Sequence, residues 1–184
     1  MPNKILSYYE NNGTIVDNVF ECDYVQIELL GNHAIGKNAI MLISKESFEL
    51  VIQFVWYLGK DGYPITHGTD DNKIKFGRGK KIHKLLMNAP KGQVIDHINR
   101  DRLDNRLTNL RICTPKENSY NRSRPKNNEY KGVVKQSNGL WTAQLTKDGQ
   151  VYKIPDIVDK KMAAETYDLM AEEMFGEYAG KNFG

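Results

Sequence analysis

Residues Tyr24-Val25-Gln26-Ile27-Glu28-Leu29 alternate apolar and polar side chains with a period of two, which predicts a half-buried strand. A turn at Gly31-Asn32-His33 separates it from a second apolar strand, Ala39-Ile40-Met41-Leu42-Ile43. From Ser44 the period changes. Phe48, Val51, Ile52, Val55 and Trp56 recur at helical spacing, so Ser44 is expected to cap a helix over roughly Lys45–Leu58, ended by Gly59-Lys60-Asp61-Gly62. Lys73–Phe76 and Lys80–His83 read as strand segments on either side of Gly77-Arg78-Gly79, and Lys84-Leu85-Leu86-Met87 as a short helix. This first part of the chain shows no obvious chemistry and reads as scaffold.

The pattern turns chemical at Val94. A short apolar run, Val94–Ile98, contains the adjacent pair Asp96-His97. A polar loop rich in Asp, Asn and Arg follows to Asn109, then a second strand, Leu110-Arg111-Ile112-Cys113. Thr114-Pro115-Lys116-Glu117 is a helix start: Thr114 as cap, Pro115 at the first helical position, Glu117 closing a capping box. Strand, loop, strand, helix is the smallest frame that sets a hairpin-borne base opposite a helix-borne ligand. His97 is suited to activate water, since imidazole titrates near neutral pH. Asp96 offers carboxylate oxygen to a hard cation such as Mg²⁺, and Asn118, close behind the cap, offers an amide oxygen. As strand neighbours, Asp96 and His97 point to opposite faces unless the strand end twists them together. A lone Asp-His pair is more often an ordinary hydrogen-bonded pair. The frame around it points to phosphodiester hydrolysis, which needs an activated water and stabilised charge on the phosphate and leaving oxygen. Asn121, one helical turn past Asn118, suits helix bracing or a phosphate contact. His33 and His67 read as surface residues.

Beyond Arg122-Ser123-Arg124-Pro125, a basic stretch broken by proline, the period of two returns. Strands are predicted at about 131–136, 140–147 and 150–154, with turns at Ser137-Asn138-Gly139 and Asp148-Gly149. Trp141, Ala143 and Leu145, with Tyr152 and Ile154, are expected to pack on a helix from Lys160 to about Phe175, capped by Asp159. Its apolar face is Ala163, Ala164, Tyr167, Met170, Ala171, Met174 and Phe175.

Charge sharpens this division. The formal net charge of +3 hides a middle segment, residues 73–135, with 17 Lys/Arg against 5 Asp/Glu, while the flanks are net acidic. A basic zone concentrated around the Asp96-His97 stretch is the footprint of a polyanion partner. No apolar run approaches the ~20 residues of a membrane span, and Met1-Pro2-Asn3-Lys4-Ile5 has no signal-peptide core, so a cytoplasmic protein is expected. Cys22 and Cys113 are far apart and in no Cys-x-x-Cys pair, so structural zinc is not expected and buried free thiols are.

Asp96-His97-Ile98-Asn99, Leu103-Asp104-Asn105, Asn109-Leu110-Arg111 and Asn118 resemble the HNH endonucleases, the ββα-metal nucleases, and in particular their homing branch. The resemblance implies that Asp96 and Asn118 are ligands of Mg²⁺ (or Mn²⁺), that His97 is the general base, and that Asn109 braces the loop and the histidine backbone. Lys81-Ile82-His83-Lys84-Leu85 resembles a segment this branch carries upstream, which would put His83 near the active site without a firm catalytic role. The family often has glycine where this chain has Arg100. Residues 130–183 resemble the Apetala-type (ethylene-response-factor) DNA-binding domain through Tyr130-Lys131-Gly132-Val133, Gly139-Leu140-Trp141, Ala163-Ala164-Glu165-Thr166-Tyr167-Asp168 and Phe175-Gly176-Glu177-Tyr178. In that family the sheet enters the major groove. The matching positions are Lys131, Val134, Gln136, Asn138, Gln144, Thr146 and Lys153, with Arg122 and Arg124 as added backbone contacts. Several of these are arginine or tryptophan in plant members.

The expected fold is therefore α+β. A small mixed α/β scaffold (residues 1–80) leads into a ββα-metal core (about 81–123), together the nuclease domain. A basic linker, residues 124–129, joins it to a three-stranded antiparallel sheet packed on one helix, residues 130–184. The expected partner is double-stranded DNA, with no membrane, in a bacterial or phage setting. Three functions are compatible with the residues: a homing-type DNA endonuclease, a DNA-binding regulator with a vestigial nuclease unit, and a restriction endonuclease. A monomer, with one ββα unit, would nick; a homodimer would be needed to cut both strands together.

Overall fold

The computed structural model describes residues 3–10, 14–19, 21–69, 74–123 and 128–183. It is a mixed α+β chain of small sheets and few helices, in two compact units, Met1–Cys113 and Thr114–Gly184. The expected nuclease domain ran to residue 123. The boundary falls earlier because the short helix after Cys113 packs in the second unit. Residues 124–127 of the expected linker, Arg124 among them, lie outside the described residues.

In the first unit, strands β1 (Ile5–Tyr9), β2 (Ile15–Val16), β3 (Tyr24–Glu28) and β4 (Ile40–Ser44) form an antiparallel sheet in the order β2-β1-β3-β4. Val25, Ile27, Met41 and Ile43 alternate inward and are fully buried, as the period-two pattern predicts. The predicted helix over Lys45–Leu58 does not form. A 3₁₀ turn at Lys45–Ser47 and a single turn, α1 (Phe48–Val51), are followed by strand β5 (Phe54–Leu58). Phe54-Val55-Trp56-Tyr57-Leu58 is an aromatic and β-branched run, favoured in strands. Because four of its five residues are buried, it lacks alternation, and a short apolar run of this kind is not told from a helix by period alone. Ser44 makes no side-chain cap.

Strand β5 pairs with β6 (Pro64–Thr69), which the sequence reading missed, and β6 with β7 (Lys75–Lys81). The two predicted segments around Gly77-Arg78-Gly79 are thus one strand as far as described, and His83 belongs to helix α2 (Ile82–Leu86), not to a strand. Asn3 ties the two sheets together. Its amide nitrogen donates to the carbonyls of Glu28 and Trp56, both at 2.8 Å, and its oxygen accepts from Trp56 N–H at 2.6 Å.

A hairpin of β8 (Val94–His97) and β10 (Leu110–Cys113) follows, its polar loop containing the two-residue strand β9 (Asp104–Asn105). Strand β9 adds in parallel to the edge of β4, pairing Asp104 with Leu42 and Asn105 with Ile43. Cys22 and Cys113 are buried thiols in no disulfide.

In the second unit, helix α3 (Pro115–Tyr120) has the predicted capping box: Thr114 accepts from Glu117 N–H, and Glu117 accepts from Thr114 N–H. Tyr120 stacks on Phe175 with ring centroids 4.0 Å apart. Strands β11 (Val133–Lys135), β12 (Trp141–Lys147) and β13 (Gln150–Ile157) form an antiparallel sheet packed on helix α4 (Lys160–Phe175). Asp159 accepts from Met162 N–H at 2.8 Å, the expected cap. The third strand runs longer than predicted. Its register shifts at Pro155-Asp156, so Trp141 pairs with Ile157, and Ile157 is buried in place of Ile154, which is 45% exposed. No helix among the described residues is long and apolar enough to cross a membrane.

Gly132 adopts a positive φ of 71°, and a Cβ there would overlap the ring of Tyr167 and the carbonyl of Gln144. Gly132→Ala is therefore expected to destabilise the second unit by about 3 kcal/mol. Thermal unfolding of the variant checks this; an unchanged midpoint would refute the packing described.

Candidate active site

The hairpin register places Arg111 opposite Asp96 and Leu110 opposite His97. The Arg111 guanidinium donates twice to Asp96 Oδ2, from Nε at 3.0 Å and from Nη2 at 2.8 Å. Both Asp96 and His97 are buried, at 7% and 5% exposure, and a buried carboxylate needs such a partner.

His97 is held from its far side. Its Nε2 lies 3.1 Å from Asn105 Oδ1. The Asn105 amide nitrogen donates to the Arg102 carbonyl at 3.1 Å, which turns the oxygen toward the imidazole. His97 must then carry its proton on Nε2, and the lone pair falls on Nδ1. Asn105 is itself fully buried and fixed in the scaffold: β9 pairs with β4, Leu42 N–H donates to the Leu103 carbonyl at 2.8 Å, and Ser44 Oγ accepts from Leu107 N–H at 2.8 Å. Asn105 is the site residue to which the sequence reading assigned no role. Its signal was present, an asparagine in a polar loop, but nothing local shows that the scaffold sheet would capture it.

The Asn109 side chain is bonded across the loop. Its oxygen accepts from Asn99 N–H, and its nitrogen donates to Asn99 Oδ1 and to the Asp104 carbonyl, all within 2.8–2.9 Å. The Asn109 carbonyl also accepts from Ile98 N–H at 2.9 Å, next to His97. Asp104 accepts the Arg106 guanidinium at 2.8 and 2.7 Å and Asn99 Nδ2 at 2.8 Å. Burial pushes the Asp104 carboxyl up, but the Arg106 fork outweighs it and the net shift is down. Arg100 takes a left-handed φ of 68°, a conformation that favours glycine and accounts for the glycine common in the family here.

His83 is 6% exposed and its ring meets His97 at a centroid distance of 5.3 Å, nearly perpendicular. Tyr63 touches both, at 5.0 Å from His83 and 5.8 Å from His97. His83 therefore does sit beside the expected base, with its Nδ1 buried and without a hydrogen-bond partner. Tyr63 was invisible in the sequence because the strand it precedes was not foreseen. His33 and His67 are exposed.

Asn118 lies on the second turn of α3, half-buried, its N–H bonded to the Thr114 carbonyl at 3.0 Å. It belongs to the second unit, so the expected core of residues 81–123 is divided between the two. Asn121 is buried at the C-terminal end of α3. No cluster of three or more His, Cys, Asp or Glu able to hold a metal occurs among the described residues.

Among the proposed DNA-facing positions, Gln144, Thr146 and Lys153 sit on the sheet face opposite Ala143 and Leu145. Gln144 pairs with Lys153 across the sheet, and Val134 on the same face is 44% exposed. Arg122 is exposed. Three positions are otherwise engaged. The Lys131 ammonium donates to the carbonyls of Tyr120 and Gly180, at 2.7 and 3.3 Å. In the orientation that satisfies all its partners, the Gln136 amide accepts from Thr142 Oγ1 and Asp156 N–H and donates to Asp156 Oδ1. Asn138 Oδ1 accepts from Leu140 N–H at 3.0 Å, closing its own turn.

Residues 88–120 match the sequence profile of a family described as HNH endonuclease. A protein of Acanthamoeba polyphaga mimivirus named as an uncharacterized HNH endonuclease is 35% identical over 184 residues, spanning 98% of this chain and 94% of its own. The chain belongs to the HNH endonuclease family. Protein 3.8 of Escherichia phage T7 is 41% identical over 93 residues, spanning 49% of this endonuclease and 76% of its own length. No solved structure matches.

The two histidines of the candidate site carry a pH signature. Burial, joined by the charges of His97, Lys81 and Lys84, lowers the pKa of His83 to about 3. Burial also lowers that of His97, against the Asn105 hydrogen bond and the nearby carboxylates of Asp96, Asp101 and Asp104. The unfolded chain takes up protons below an ordinary histidine pKa of about 6.5, while folded His83 does not until about pH 3. Stability is thus full above about pH 6.5 and falls as pH drops through that window, by up to about 1.4 kcal/mol per pH unit for His83. His83→Phe should flatten this slope between pH 6 and 4.5 in denaturant unfolding; parallel slopes for variant and parent would contradict the burial effect.

Proposed function

We propose that this endonuclease cuts double-stranded DNA in a divalent-metal-dependent reaction, with His97 as general base, Asp96 and Asn118 as metal ligands, and the second unit as a target-binding module of homing type. The observation that carries the reading is the hydrogen bond between His97 Nε2 and Asn105 Oδ1. It puts the lone pair on Nδ1, and burial keeps the imidazole neutral at physiological pH, so the ring is ready to take a proton from water.

The donor set suits Mg²⁺ or Mn²⁺ rather than a soft ion. Asp96 and Asn118 both offer oxygen, and the Arg111 guanidinium on Oδ2 holds the Asp96 carboxylate in one orientation. Mg²⁺ is commonly held by one or two protein oxygens plus substrate phosphate and water, so a cage of carboxylates is not required. When bound, such an ion supplies charge stabilisation at the scissile phosphate and the leaving oxygen. Arg111 holds Asp96 in place, Asn109 holds the backbone beside His97, and the scaffold holds Asn105.

The DNA reading draws on the basic middle segment and on the outer face of the second unit's sheet, where Val134, Gln144, Thr146 and Lys153 lie together. Gln136, Asn138 and Lys131 contribute by holding the bulge, the turn and the C-terminal tail. The relatives from a giant virus and a phage accord with a mobile-element nuclease.

His97→Ala is expected to lower divalent-metal-dependent cleavage of duplex DNA by at least about 100-fold while leaving DNA binding intact. Asn118→Ala should weaken metal-supported cleavage, and His33→Ala should cleave like the parent. A His97→Ala protein with full activity in a Mg²⁺ plasmid-cleavage assay would sink the assignment.

A further inference from the structure

Two cations converge beside His97 for no evident structural reason. Lys81, at the end of β7, places its ammonium 4.0 Å from the centroid of the Tyr63 ring. Arg102, in the loop after β8, places its guanidinium carbon 4.8 Å from the same centroid. This is the ring that touches both His83 and His97. The facing turn holds both through Asp61, one by its carboxylate and the other by its backbone carbonyl. Asp61 Oδ2 pairs with Lys81, and the Asp61 backbone carbonyl accepts from Arg102 Nη1.

Stability does not account for this arrangement. The Lys81–Asp61 pair is a third to a half exposed, and ion pairs at such exposure contribute about 0–1 kcal/mol. Bringing two like charges to one ring costs energy, offset by the ring's negative face. A lysine ammonium together with a planar arginine fork is instead the donor set that takes a phosphate: a point charge and a bidentate hydrogen-bonding edge.

We propose that Lys81 and Arg102, both set against Tyr63, form a binding site for a DNA backbone phosphate next to the scissile one, and that Asp61, its carboxylate on Lys81 and its carbonyl on Arg102, occupies this site when DNA is absent. The proposal rests on the nuclease reading above for the identity of its ligand. Its geometry follows from the ring. The residue that carries both cations is in contact with the base, so a phosphate held there fixes the strand relative to His97. Asp61 acts as an internal competitor, which weakens binding to any short or misplaced anion and keeps both side chains extended over the ring.

The test uses the full chain in a His97→Ala background, with binding of a fluorescein-labelled random-sequence duplex followed by anisotropy at several salt concentrations. Lys81→Ala and Arg102→Ala are each expected to weaken binding about 10-fold near 0.1 M salt and to reduce the slope of log K against log salt by about one. Asp61→Asn, which keeps the oxygen that accepts Tyr63 N–H, is expected to tighten binding several-fold. A purely structural ion pair predicts the opposite for Asp61→Asn: weaker binding, in step with Lys81→Ala. Either that result or an unchanged salt slope in Lys81→Ala and Arg102→Ala overturns the proposal. With His97 intact, Arg102→Ala should raise KM. Absence of cleavage by the parent under Mg²⁺ or Mn²⁺ would count against the nuclease reading alone, since the binding arm does not depend on turnover.

Discussion

The hydrogen bond from His97 to Asn105 is the constraint on which the rest of the first unit depends. An imidazole can serve as a base only if one nitrogen is kept free of its proton, and in a buried site that choice is made by whatever faces the other nitrogen. Here the partner is an amide oxygen whose own direction is set by the Arg102 carbonyl and whose backbone is a strand of the scaffold sheet. The N-terminal sheet therefore does more than fill volume behind the hairpin. Its edge strand, β4, fixes the position of Asn105, and through it the tautomer of His97.

The same burial that selects the tautomer sets the electrostatic character of the site. Two histidine rings and a tyrosine pack together, so a proton on His83 would meet another imidazole, Lys81, Lys84 and little water, while burial opposes one on His97 against the carboxylates around it. Carboxylates answer the arginines one to one: Asp96 with Arg111, Asp104 with Arg106. These two pairs neutralise buried charge inside the hairpin.

What the sequence disclosed and what it concealed follow from the range of the interactions involved. The Thr114 capping box, the Asp148-Gly149 turn and the span of α4 are settled by residues a few positions apart, and each was legible. The bracing role of Asn109 came from the family resemblance, and its side chain bonds Asn99 N–H and the Asp104 carbonyl. The failures are long-range. Val55 and Trp56 continue a helical period begun at Phe48, but Phe54–Leu58 is captured as a strand by partners at Pro64–Thr69, and losing that hairpin also hid Tyr63. Asn105 reads as loop because its partner strand lies some sixty residues away. Gln136 looked like a reader of bases, yet Asp156 and Thr142 claim its amide through a register shift that no local pattern announces.

That register shift also bears on how the second unit behaves among other molecules. Strand β13 lies at the edge of its sheet, where an open ladder of N–H and C=O groups invites another chain to pair. Pro155 removes one donor from that ladder, and Asp156, at a φ of 61°, turns the backbone out of line beside it. The sheet is thereby kept from growing by strand addition, and the amide of Gln136 is what holds the interruption in place.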